Sequence, residues 1–232
     1  MDIFDNYIPI GYVCSVPSYL NDSKKRATSY VFDRVGTPMW AISDLFANNF
    51  DGFMNKDNFK LLKLFDNSDK QYLTDTKYYI RLFNNNVGAP DVVDGYVSGI
   101  NKRKDMLLKK LESCNVENGE TVLFIRAEEP SSYTDMGKRI IFPDYEDKYK
   151  NDEYFYTQQF SKTMKKNYPL LKFSILLMSQ KGEFEDAENN ILGISAPTCD
   201  YRDPLIAGKM TKHIQEENDF ISSKFAGRFT SH

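Results

Sequence analysis

The sequence predicts an α/β fold, with helices on both sides of a mostly parallel sheet and therefore three layers. Predicted strands and helices alternate along the chain, an order that favours right-handed crossovers between parallel strands. Residues 121–127 run without polar alternation, which is typical of a strand buried on both faces. The 232 residues, 41% of them hydrophobic, are sufficient for one core. We expect a single domain, 1–232, in which the Tyr-, Asp- and Lys-rich stretch 130–153 is a lid or an insertion.

The first part of the chain is predicted to contain a strand followed by two helices. An apolar run at 7–14 predicts the strand, and 15–21 predicts a short helix that tolerates Pro17 in its first turn. Apolar residues at helical spacing predict the second helix at 38–47, with Thr37 as its N-cap.

The middle of the chain contains one long predicted helix. Residues 55–65 resemble a short helix, and the aromatic-rich stretch 72–83 predicts a strand. An apolar stripe predicts a helix over 91–114. Its lysines and arginine form either a solvated face or a basic rim for an anionic substrate.

The last part of the chain completes the alternation. We predict a helix at 153–167, a strand at 172–179, a turn at 180–182 and a shorter strand at 191–195. The tail from 201 has apolar residues near helical spacing.

Composition excludes several classes of function. A net charge of −3 gives no general attraction to the phosphates of nucleic acids. Apolar runs are too short to span a bilayer, and the acidic N-terminus does not resemble a signal peptide, so we expect a cytoplasmic protein. The three cysteines show neither a disulfide framework nor metal-ligand spacing, and no nucleotide-binding fingerprint is present. We therefore expect no metal and no cofactor.

Cys14 is the cysteine with a setting suited to chemistry. It lies between an apolar run and a predicted helix, where helix N–H groups can lower the pKa of a thiol and make it a nucleophile. The alternative is that Cys14 is a small buried hydrophobic residue, which is common after an apolar run.

A set of residues in the first third of the chain, and one block in its middle, resembles a family of papain-like cysteine peptidases. That family occurs in bacteria and large DNA viruses, and its function is poorly defined. The matching residues are Gly11, Cys14, Ser15, Val16, Arg26, Ser29, Tyr30, Phe32, Asp33, Asn48, Asn49, Phe50, Phe53 and the block Val122–Arg126. The resemblance implies that Cys14 is the nucleophile and that Asp33 is a second polar residue of the site.

The chain also departs from the family pattern. Arg34 follows Asp33 where members carry tryptophan, and the region that in members contains histidine has none here. The sequence has two histidines, of which His213 is the candidate base for Cys14. The chain therefore resembles a divergent member.

Two classes of function follow from these residues. In the first, a cysteine-dependent hydrolase or acyl transferase uses Cys14, Asp33 and His213, with Ser15 and Arg34 at the substrate. In the second, a non-hydrolytic α/β protein either binds a ligand or transfers a sugar or phosphate group, using Asp33, Arg126 and Glu128. Arg126 and Glu128 are candidates because they follow a predicted buried strand, and ligands bind outside the carboxyl ends of such strands. The substrate is a small molecule, a peptide or a glycan.

Overall fold

The structure is a computed structural model that describes residues 4–11, 16–17, 20, 28–33, 35–63, 71–82, 90–128, 152–179, 181–195 and 223–224. In chain order the strands and helices are β1 (Asn6–Pro9), β2 (Val35–Gly36), α1 (Met39–Ala47), a 3-10 helix (Lys56–Asn58), β3 (Phe59–Lys63), β4 (Gln71–Asp75), β5 (Ile80–Leu82), α2 (Pro90–Cys114), β6 (Val122–Ala127), α3 (Glu153–Asn167), β7 (Phe173–Ser179), β8 (Phe184–Asp186) and β9 (Ile191–Ser195). Within these ranges, no helix is long and apolar enough to cross a lipid bilayer.

A five-stranded sheet carries the strands that the sequence predicts best. Its order is β1-β6-β7-β9-β8, in which the first four strands run parallel and β8 is antiparallel to β9. Every residue of β6 and β7 is buried, as expected for central parallel strands. The prediction of an α/β fold with a mostly parallel sheet is confirmed, whereas the three-layer arrangement and the single domain stay predictions.

A second sheet was not predicted from the sequence. It is antiparallel, with the order β2-β5-β4-β3. The single strand predicted at 72–83 is two strands, because the carboxylate of Asp75 accepts hydrogen bonds from the backbone N–H groups of Lys77 (2.9 Å) and Tyr78 (3.3 Å) and holds a tight turn. The prediction of a helix at 55–65 is also mostly wrong. Only Lys56–Asn58 is helical, as the 3-10 helix, and the chain then forms β3.

Helix α1 confirms the helix predicted at 38–47, but not its cap. Pro38 occupies the N-cap position and no side chain caps the helix, so the assignment of Thr37 as N-cap is wrong. At the other end, Asn49 adopts a left-handed conformation (φ 51°), and the N–H of Phe50 donates to the carbonyl of Leu45 at 2.7 Å. This six-to-one hydrogen bond is the Schellman motif, which ends the helix.

An aromatic cluster fixes α1 against the rest of the core. The ring of Phe46 meets those of Phe50 (5.0 Å between centroids) and Phe160 (5.2 Å) edge to face, and Phe160 also meets Phe124 at 5.2 Å. Each such pair contributes about 0.5–1.5 kcal/mol beyond the area it buries. The cluster therefore joins α1, α3 and β6 into one packed unit.

The remaining elements agree closely with the sequence. The helix predicted at 91–114 is α2, and the helix predicted at 153–167 is α3. The strands predicted at 172–179 and 191–195 are β7 and β9, whereas β8 was missed. The proposed lid at 130–153 lies outside the described residues except for its last two positions, and the region around His213 also lies outside them.

Candidate functional site

The candidate site begins where β1 and β6 end. The two strands are parallel, with Pro9 opposite Ile125. Ile10, the residue after β1, donates its N–H to the carbonyl of Ile125 at 2.9 Å. Arg126, the next residue of β6, is therefore beside the point where β1 leaves the sheet. Carboxyl ends of parallel strands are the usual location of ligand sites in such sheets.

Arg126 connects three segments at this edge. Its side chain is fully buried, and its Nη1 donates hydrogen bonds to the carbonyl oxygens of Ile10 (3.0 Å) and Thr37 (2.9 Å). Its guanidinium also forms an ion pair with Glu153, the first residue of α3, and Nε donates to the Glu153 carboxylate. We call these four residues the arginine clamp. A buried charge with this set of partners is costly to disturb, because removing one partner leaves the others uncompensated.

Gly11 is packed against this clamp. Its φ is +65°, and a Cβ added there would lie 2.7 Å from Nη1 of Arg126 and 3.0 Å from the carbonyl oxygen of Thr37. Both the left-handed backbone and the lack of space require glycine. The turn that follows β1 is therefore fixed at its first residue.

Cys14 and Ser15 belong to the link 12–15, which lies outside the described residues. The link is bounded by Gly11 on one side and by Val16 on the other. Val16, Pro17 and Leu20 are helical and buried, in agreement with the short helix predicted at 15–21. Both residues that bound the link are thus part of the packed structure.

Asp33 is only 2% exposed and lies in a tight turn. Its Oδ2 accepts a hydrogen bond from the N–H of Tyr30 at 3.0 Å, and its own N–H donates to the carbonyl of Tyr30 at 3.2 Å. Phe32 is buried beside Phe46 and Phe50, so it anchors the segment in the core. The role of Asp33 as a second polar residue of the site stays a prediction.

Of the other candidates, Glu128 directly follows β6. Its N–H donates to the carbonyl of Met178 at 2.9 Å, and the residue is partly exposed. Arg34 and His213 lie outside the described residues. The structure therefore brings Arg126 together with Glu153. Sequence reasoning missed Glu153, although an acidic residue at the start of a predicted helix is a recognisable signal.

Cys114 occupies the opposite end of the sheet. It ends α2, is 1% exposed, and accepts a weak hydrogen bond from Asn6 at 3.8 Å. Burial raises the pKa of the Cys114 thiol, which keeps it protonated at neutral pH. Cys114 is therefore a poor nucleophile, and Cys199 lies outside the described residues.

A second cluster of titratable groups joins α3 to β8. The carboxylate of Asp186 accepts hydrogen bonds from Tyr154 (2.8 Å), Gln158 (3.0 Å) and Asn189 (2.8 Å). Burial alone would raise the pKa of Asp186, but these bonds outweigh it and lower the pKa to about 2. Burial and the bond to Asp186 raise the pKa of Tyr154 to about 12. Asp186 therefore stays ionised and Tyr154 stays protonated at neutral pH, and their hydrogen bond joins α3 to β8.

Comparison of the chain with protein-family models, with curated proteins and with solved structures found no match in any of the three. The resemblance to papain-like cysteine peptidases therefore rests on the sequence pattern alone. In the part of the chain that the structure describes, no group of three or more His, Cys, Asp or Glu side chains could hold a metal ion.

Proposed function

We propose that the chain is a cysteine-dependent hydrolase or acyl transferase in which Cys14 is the nucleophile. The observation that carries the proposal is the close packing of Gly11, the residue before the Cys14 link, against the arginine clamp. Gly11 is packed against Arg126, and Val16, five residues later, is helical and buried. A reactive group requires such support, because small displacements of a nucleophile cost large factors in rate.

The position of the link suits acyl transfer. It follows the carboxyl end of β1 and precedes a helical residue, and helix N–H groups favour a thiolate. The base, for which His213 is the candidate, would take the thiol proton of Cys14, and the thiolate would attack an acyl carbon. The bond from that carbon to the leaving group would then break, and the leaving group would depart with the proton held by the base, which leaves a thioester on Cys14. Water or a second acceptor would then attack the thioester and release the thiolate. Backbone N–H groups are suited to stabilise the oxyanion formed in both steps.

The alternative, a sugar or phosphate transferase that uses Asp33, Arg126 and Glu128, is less well supported. Nη1 of Arg126 is directed at two main-chain carbonyls inside the fold, and Oδ2 of Asp33 is bonded within its own turn. Of these three residues, Glu128 is the one that is exposed enough to contact a substrate.

Iodoacetamide labelling followed by peptide mapping tests the nucleophile. Cys14 should react much faster than Cys114 at neutral pH, because a thiolate reacts and a buried thiol with a raised pKa does not. Cys114 is the reference within the same molecule. If Cys14 is labelled no faster than Cys114, the proposal fails.

Acylation tests the reaction. Intact-mass measurement after incubation with p-nitrophenyl acetate should show one acetyl group on Cys14, and the Cys14→Ser variant should lose that rapid acetylation. Activity on an activated sugar or phosphate that survives Cys14→Ser but is lost in Glu128→Gln would instead support the transferase.

A further inference from the structure

A polar cavity of about 360 Å³ lies away from the arginine clamp, between the end of α1 and the β4–β5 turn. Of the residues that the structure describes, seven line it: Trp40, Asp44, Asn48, Asn49, Asp51, Lys77 and Tyr78. Its volume is at the lower end of the range for small-molecule sites, about 300–1,000 Å³. The cavity plays no part in the proposed acyl transfer.

Hydrogen bonds join the two sides of the cavity. The hydroxyl of Tyr78 donates to the carbonyl of Asp51 at 2.7 Å, and Nζ of Lys77 donates to the same oxygen at 3.3 Å. Lys77 lies so close over Gly52 that a Cβ there would be 2.6 Å from Nζ. The two sides are therefore joined before any ligand arrives.

The backbone around the cavity adopts unfavourable conformations. Among the described residues, five that are not glycine have positive φ, and four of them border this region: Asn49 (51°), Phe50 (60°), Met54 (54°) and Tyr79 (53°). Asn49 ends α1 in the Schellman motif, where asparagine tolerates a positive φ. For the other three residues, a left-handed conformation costs about 1–2 kcal/mol each. Phe50, Met54 and Tyr79 are all buried, so core packing sustains the strain. Strain of this kind clusters at ligand sites.

The charges of the lining argue against an anionic ligand. Asp44 and Asp51 contribute two negative charges and Lys77 one positive charge, and the carbonyl end of α1 adds negative potential. The side chains offer both kinds of hydrogen-bonding partner, since carboxylates accept, the ammonium donates, and the amides of Asn48 and Asn49 do both. An uncharged ligand rich in hydroxyl groups matches this lining, because each hydroxyl both donates and accepts.

We propose that this cavity binds a neutral saccharide. The carboxylates and amides bind its hydroxyl groups, and Trp40, which is 4% exposed, contributes a small apolar edge to the lining. The Asn48-Asn49 pair, which belongs to the sequence pattern noted above, thereby lines the ligand site while Asn49 also ends α1.

Trp40 makes the test direct, because it is the single tryptophan of the sequence. The full chain is titrated with glucose, galactose, mannose, N-acetylglucosamine, maltose, lactose and cellobiose while tryptophan emission is recorded. Glucose 6-phosphate is the anionic comparison. We expect a saturable change with at least one neutral sugar and weaker binding of the phosphorylated one.

Three variants assign that change to the cavity. Asn48→Ala and Asp51→Ala should each weaken binding by at least about five-fold, the effect of losing one hydrogen bond. Asp105→Ala, which removes an exposed carboxylate on α2 outside the cavity, should bind as the wild type does. The proposal is overturned if no neutral sugar gives a saturable change, if neither cavity variant weakens binding, or if glucose 6-phosphate binds more tightly than every neutral sugar.

Discussion

Replacing Gly11 by alanine should destabilise the fold strongly, although only one methyl group is added. The left-handed backbone of Gly11 costs alanine about 1–2 kcal/mol. The added Cβ would lie 2.7 Å from Nη1 of Arg126, so the guanidinium must move away from Ile10 or Thr37. Losing one hydrogen bond of a charged group costs about 1.5–3 kcal/mol. The free energy of unfolding should therefore fall by about 2.5–5 kcal/mol, a large part of the roughly 5–15 kcal/mol typical of a domain.

Urea unfolding followed by the emission of Trp40 measures this change. Gly95→Ala is the matched control, because Gly95 lies within α2 and a Cβ there meets nothing within 4 Å. The free energy of unfolding of the control should rise by up to about 1 kcal/mol, because alanine has a higher helix propensity than glycine. The same substitution thus has opposite effects at the two positions. If Gly11→Ala unfolds at the urea concentration of the wild type, the reasoning about the clamp is refuted.

Four further outcomes are expected. Arg126→Lys should lower the free energy of unfolding by about 2 kcal/mol, because one ammonium replaces a planar group that reaches three partners; unchanged urea unfolding would contradict this. Asp186→Asn should lose stability at neutral pH but not near pH 2. The stabilisation from the lowered pKa of Asp186 disappears as the pH falls from about 4 to about 2. Equal losses in the free energy of unfolding at both pH values would disprove this prediction. Asp75→Asn should instead gain stability at neutral pH. Burial raises the pKa of Asp75, so the charge of its carboxylate opposes folding at neutral pH. The gain of the variant should disappear below about pH 4, where Asp75 is protonated in both the folded and the unfolded protein. Urea unfolding of both proteins at several pH values tests this. His213→Ala should leave unfolding unchanged, and turnover of generic peptides should be negligible with or without it; robust hydrolysis that depends on His213 would establish a Cys–His pair.

The long elements could be predicted because their pattern repeats over many residues. The apolar stripe of α2 places Val97, Ile100, Leu107 and Leu111 on one side, and all four are buried. Likewise, β6 contains only buried positions, and its unbroken run in the sequence indicates this directly.

The antiparallel sheet could not be predicted in the same way. The turn between β4 and β5 contains neither glycine nor proline, and it depends on the carboxylate of Asp75 and on a left-handed Tyr79. No propensity rule selects tyrosine for that conformation. The two strands therefore resemble one longer strand in the sequence.

The candidate site was predictable only in outline. The position of Arg126 after a buried strand indicates its place at the sheet edge. Its partners could not be inferred, because Ile10 and Thr37 are 116 and 89 residues away and contribute carbonyl oxygens that every residue has. A sequence reveals side-chain chemistry far better than the convergence of distant main-chain groups.

The clamp also sets an order of events during synthesis of the chain. Ile10 is synthesised 116 residues before Arg126, its partner. At about 5–20 residues per second, that interval is roughly 6–23 s. Throughout it, β1 lacks β6, its neighbour in the sheet, and Gly11 has no guanidinium to pack against. The end of β1 must therefore stay unpaired, or bound by a chaperone, until the middle of the protein has been synthesised.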